Sequence, residues 1–346
     1  MQHGLIRLSR YLALAQLAFI LVATLYPFAD WRDAGVSPLA FLEWKLPRYL
    51  AISDVVFNFV AYVPLGFLLV VAAGPRWPRG VVAIGAALAT AGLSLTLEAL
   101  QTWLPSRVPS ILDLASNSLG GLTGAVLAWR GGQDVLLRLG KAYPRLVATV
   151  PHAEFGLMLL AVWMLQALSP ELLIFATGDL RKSLGLVSVG DFSVQWMPVL
   201  EALVIVCNML SVGLLLRTLL EGRWLPYLLV PLFFVLAMGV RTMAVAVTQS
   251  PRESLLWLST GVQIGVVAGS LLLMLLLNLS GWLRLTLAAL SLLAGTVLVN
   301  FVPPNPYALA LSAAPSLTNL RGMIWLISGL WPFATLPYLL LLARRL

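Results

Sequence analysis

Long apolar runs recur along the chain and leave few choices of fold. Each approaches the about 20 residues that a helix needs to cross a bilayer. They fall at residues 11–28, 55–73, 81–104, 112–129, 155–168, 199–220, 225–247, 255–277, 283–302 and 322–342. The expectation is an all-α polytopic membrane bundle of about ten transmembrane helices, the fifth of them short. Composition agrees, with 60% hydrophobic and only 10% charged residues, where soluble domains carry about 25% charged. The first run follows Arg7 and Arg10 like a signal peptide, but it is too long and no small-x-small cleavage site follows, so it reads as a retained helix.

The formal charge of +8 is not a nucleic-acid footprint, since no basic run is interleaved with exposed aromatics. Placing the N-terminus inside gives the inner segments the larger share of Lys and Arg, among them Arg7, Arg10, Arg76, Arg79, Arg130 and Arg138. Both termini are then cytoplasmic. Cys207 stands alone and the histidines are His3 and His152, so neither a disulfide, a zinc site nor a Cys-His or Ser-His-Asp nucleophile is expected.

The stretch 130–151, with GGQD and several basic residues, reads as the main boundary. It separates a four-helix domain at 1–133 from a six-helix domain at 151–346, with a basic cytoplasmic linker at 134–150. Segment 169–197 is too polar to span and too apolar for a plain loop, and reads as interfacial or re-entrant. Arg241 and Glu201, near the outer ends of neighbouring spans, either pair, line a second polar path, or leave Arg241 snorkelling to the interface.

Chemistry-bearing residues concentrate in the front domain. Asp54 and Asn58 are spaced i, i+4; Ser94, Glu98 and Gln101 i, i+4, i+7; Asp113 and Asn117 i, i+4. Each set shares one helix face. With a rise of about 1.5 Å per residue, Glu98 and Asn117 lie roughly 9 Å below the outer helix ends, with Arg107 in the turn above. Three helices thus bring polar faces to one level. A charge costs about 2.5–3.5 kcal/mol at a helix centre by insertion scales, so Glu98 needs Gln101, Asn58, Arg107, a proton or a ligand.

The strings SDVVFNFVAYVPLGFLL and LSLTLEALQTWLPSRVPSILDLASNSLGGLTG carry Asp54, Asn58, Pro64, Gly66, Ser94, Glu98, Gln101, Arg107, Asp113, Asn117, Gly121 and Gly124. Over residues 53–128 this pattern resembles the VanZ-like family of bacterial membrane proteins. Ser110 stands where relatives often have an acid. The resemblance implies an inner-membrane, cell-envelope protein linked to tolerance of glycopeptide antibiotics.

On these grounds the binding residues are Asp54, Asn58, Ser94, Glu98, Gln101, Arg107, Asp113 and Asn117. The expected ligand is a lipid-linked glycan, a polyprenyl phosphate or a lipophilic glycopeptide, bound or translocated at an outer-leaflet pocket. Membrane lipids are the other expected partner, and no resident cofactor or metal is expected. An enzyme acting on such a lipid is the alternative, with Glu98 as general base, Asp113 assisting, and Mg²⁺ or Ca²⁺ held by Asp54, Glu98 and Asp113. A scaffold whose polar core only ties helices together is the third reading.

Overall fold

The computed structural model describes residues 2–33, 35–43, 52–181, 194–248, 250–301 and 318–345. Those residues are helical with no strand beyond one isolated bridge, Val147 to Leu220. The α-helices are α1 (Gln2–Leu25), α2 (Ile52–Ala73), α3 (Arg79–Gln101), α4 (Ile111–Leu146), α5 (Ala153–Met164), α6 (Met197–Leu219), α7 (Leu225–Thr248), α8 (Thr260–Leu276), α9 (Gly281–Phe301) and α10 (Thr318–Ala343). Among the described residues eight helices are long and apolar enough to cross a membrane, while Ala153–Leu168 and Thr260–Leu276 are shorter apolar helices. The chain is a multi-pass helical membrane protein. It divides into two compact units, Met1–Tyr143 and Pro144–Leu346.

In the front unit α1 packs on α2 and α3, and α2 on α3. α3 buries Ala86, Thr90, Ser94, Leu97, Glu98 and Gln101 along one stripe, while Val81, Ile84 and Leu88 are exposed. That is a soluble helix turned inside out, as lipid demands. α2 and α4 approach until backbones touch. A Cβ on Gly120 or Gly124 would overlap the carbonyl oxygen of Phe59 or Val63, and one on Gly66 that of Gly121. Small residues at helix interfaces exist for such contacts.

The expected loop after residue 130 is helix instead. α4 continues to Leu146. Gly131 and Gly132 signal a break, but the residues after them alternate apolar and charged at helical spacing, and a Cβ on Gly140 would only touch Leu5 at 3.8 Å. A helix packed along one face tolerates a glycine pair that costs about 1 kcal/mol per residue in propensity.

The rear unit is built around α6, which packs on α8 and α9. The most apolar stretch of α6 is 67% buried, against at most 39% for any span of the front unit, so α6 is a core helix. The span expected over 255–277 begins only at Thr260, because Ser259 caps α8 through Val262 N and the preceding residues turn. α5 gives way to a 3-10 turn at Leu165–Leu168, and the chain then runs without regular structure to Leu180. Ser169, Ile174, Phe175, Ala176 and Thr177 in this segment are buried. Residues 182–193 of the expected interfacial segment lie outside the described residues.

Irregular backbone inside a membrane protein must find partners in the protein. Here Gly178 N–H donates to Ser328 O at 2.9 Å. Asn300 Nδ2 donates to Gly178 O at 2.6 Å, and Asn300 Oδ1 accepts from Leu180 N–H at 2.8 Å. Thr177 donates to Asn208 at 2.8 Å and Ser328 Oγ to Ala176 O at 3.2 Å. Arg241, fully buried, donates to the carbonyls of Ser169 and Gln166. Two of the three expectations for Arg241 therefore fail. It does not snorkel, and it does not pair with Glu201, whose carboxylate accepts from Ser259 Oγ at 2.6 Å. A helix interrupted at Leu168 exposes its last carbonyls, and a cation beside them is the natural partner.

Candidate functional site

The site is assembled where α1 and α3 end and α2 and α4 begin. The α3–α4 turn supplies its keystone. Ser110 is the N-cap of α4, its Oγ accepting from Leu112 N–H at 3.2 Å, as an N-cap serine does. In a capping box the carboxylate three residues on would take the cap's own N–H. That residue is Asp113, yet Ser110 N–H donates to Glu98 Oε2 at 2.8 Å. Glu98, 2% exposed, thus lies at the N-terminal end of α4, where the helix dipole favours a negative charge.

Two tiers surround it. In the buried tier Asn117 Nδ2 donates to Ser94 Oγ at 3.0 Å, and Gln101 Nε2 donates to Thr24 O at 3.1 Å. The outer tier holds Asp54, exposed at the start of α2, with Asn58, Asp113 and Arg107 half-buried. Asn58 reaches the Asp113 carboxyl, and Asp113 lies within range of the charges of both Asp54 and Glu98. The three carboxylates therefore share one end of the unit. Among the described residues, no three of His, Cys, Asp or Glu are grouped closely enough to hold a metal ion.

Arg107 Nη2 donates to Ala23 O at 2.7 Å and Tyr26 O at 2.9 Å. It caps the C-terminus of α1, which carries no basic residue in its own last turn. Burial pulls the guanidinium below its ordinary pKa and the Glu98 charge pulls it back up, yet no direct ion pair joins the two among the described residues.

Among the described residues, three buried polar atoms here have no hydrogen-bond partner: Asn117 Oδ1, Arg107 Nε and the Tyr62 hydroxyl. Tyr62 lies beside Ser94 and Glu98 and continues the Asp54–Asn58 stripe by one more turn. The i, i+4 spacing would have found it, but an aromatic residue reads as apolar. Next to this end an apolar groove of about 270 Å³ runs between α2 and α4, lined by Val55, Val56, Phe59, Leu112, Ala115, Ser116 and Leu119.

Residues 8–137 match the family model described as VanZ/LLP1. The front part of the chain is thus similar to that family. The match takes in most of α1 and most of α4, beyond the residues 53–128 on which the resemblance first rested. No curated protein and no solved structure matches the chain.

Proposed function

We propose that the VanZ-like unit binds the head group of a lipid-linked glycan, a polyprenyl phosphate or a lipophilic glycopeptide at this polar end. The observation that carries the reading is the set of orphaned buried atoms beside a buried carboxylate. Each unpaired buried polar group costs about 1–3 kcal/mol, a cost that a bound head group would remove. Arg107 Nε suits a phosphate oxygen. Asn117, Asn58 and Gln101 suit sugar hydroxyls, which Glu98 and Asp113 accept from. The adjoining groove suits an acyl or prenyl tail. The setting proposed is the inner membrane of a bacterial envelope, with both termini cytoplasmic, the polar end toward the outer leaflet, and a role in antibiotic resistance or translocation of the lipid.

A scaffold is the second reading, because Glu98, Gln101 and Arg107 each bond to backbone at a helix end. The test is binding of a polyprenyl phosphate against the matching polyprenol, by native mass spectrometry of purified protein. Preference for the phosphate, lost in Arg107→Gln, supports the proposal. Equal uptake of both lipids sinks it in favour of the scaffold. Conversion of the lipid, abolished in Glu98→Gln, would make the protein an enzyme with Glu98 as its base.

A further inference from the structure

A pair of neighbouring arginines lies in the rear unit, far along the sequence from the residues that match the family model and independent of that reading. Arg217 occupies the last turn of α6, and Arg284 the first turn of α9. Arg284 Nε donates to Thr218 Oγ1 at 3.0 Å, which fixes it beside Arg217. Arg217 Nε donates to Leu277 O at 3.0 Å and Nη1 to Leu220 O at 3.3 Å. The two guanidiniums are close enough to repel. The nearby groups that feel Arg217 are the exposed Glu221 and the Tyr227 hydroxyl, and the latter also accepts from Asn278 at 2.5 Å. Among the described residues neither arginine has a carboxylate in ion-pair range. Most of their N–H donors are uncommitted, and none of their nitrogens is buried without a partner.

Like charges held side by side are unfavourable unless an anion neutralises them. The N-terminus of α9 opens at the same place, with backbone N–H groups that no helical carbonyl can take. At the rim Trp224 and Trp282 are 78% and 62% exposed, and Arg223 lies over the Trp224 ring at 5.8 Å. Exposed tryptophans beside arginines mark the head-group level of a bilayer. The sequence assigns this end to the cytoplasmic side, where anionic lipids collect.

We propose that Arg217 and Arg284 hold the phosphate of an anionic membrane lipid at this end of the rear unit, with Arg223 as an outlying cation. The probes are phosphatidylglycerol, phosphatidylcholine and inorganic phosphate, titrated against the purified full-length protein with bound lipid counted by native mass spectrometry. Phosphatidylglycerol is expected to be retained at least tenfold more tightly than phosphatidylcholine. Arg284→Gln should weaken it about fivefold, the effect of one cation at a membrane surface, and leave phosphatidylcholine unchanged. Arg284→Lys should keep most of the binding, which separates charge from fold. Competition by millimolar inorganic phosphate would support a site for phosphate in general, and its failure to compete would support the lipid. Equal retention of the two lipids by the native protein would overturn the proposal, as would an unchanged preference in Arg284→Gln and Arg223→Gln.

Discussion

In the front unit Glu98 and Arg107 lie at helix ends near one another, and among the described residues Arg107 Nε, Asn117 Oδ1 and the Tyr62 hydroxyl there have no partner. In the rear unit Arg241 lies inside the protein with no exposure at all, bonded to two carbonyls of an interrupted helix. Both arrangements place charge where lipid would penalise it. The rear one ties the interrupted backbone down through Arg241, Asn300 and Ser328, although Arg241 Nε, Ser211 Oγ, Thr296 Oγ1 and Thr335 Oγ1 are also buried without a partner among the described residues. The front one gathers its unpaired atoms around a buried carboxylate, at an end with an open groove beside it. A buried charge in a membrane protein is thus no guide to function until its partners are counted.

The largest effect should come from the α2–α4 contact that holds the front site together. Gly124→Leu would drive a side chain into the Val63 carbonyl and cost about 3 kcal/mol or more, overpacking against backbone that cannot yield. Thermal unfolding in detergent reads it, and a front unit as stable as before would break the close-approach assignment.

Arg241→Met should come next. It strands the carbonyls of Ser169 and Gln166 and should destabilise the rear unit by about 2 kcal/mol. Trp163, stacked on Phe175 at 5.5 Å, gives a fluorescence report of that region. A neutral result would mean that the interrupted segment is held by Asn300 and Ser328 alone.

Asn117→Ala should be the mildest. It removes the bond to Ser94 but also an orphaned oxygen, and interhelical polar contacts in membranes average about 0.6 kcal/mol. A loss above about 2 kcal/mol, well beyond that average, would move Asn117 from the ligand side of the comparison to the helix-tying side.

Much of this architecture was legible because lipid forces apolar runs into helices, and because polar residues at i, i+4 share a face. Asp54, Asn58, Ser94, Glu98, Gln101, Asp113 and Asn117 could therefore be grouped from spacing. The contribution of α1 could not, since it offers only the carbonyls of Ala23, Thr24 and Tyr26, and backbone acceptors leave no trace in composition. Tyr62 was hidden by its apolar ring. The helix through Gly131 and Gly132 was missed because a glycine pair looks like a break until the face it packs on is known. Arg241 invited a carboxylate partner, whereas its partners are carbonyls created by a helix that stops early. Ser110 seemed a missing acid, yet as the cap of α4 it supplies the N–H that Glu98 accepts.

The most direct test sets binding against stability in Glu98→Gln. A glutamine oxygen still accepts from Ser110 N–H, so the helix junction survives while the charge is lost. Thermal unfolding and binding of a polyprenyl-phosphate-linked sugar, whose hydroxyls Glu98 would accept from, are measured on the same preparation. The expected result is an unfolding temperature within a few degrees of the native protein, with binding weakened at least tenfold. A variant that unfolds readily while binding the lipid as well as the native chain would contradict it, and would leave Glu98 as helix glue.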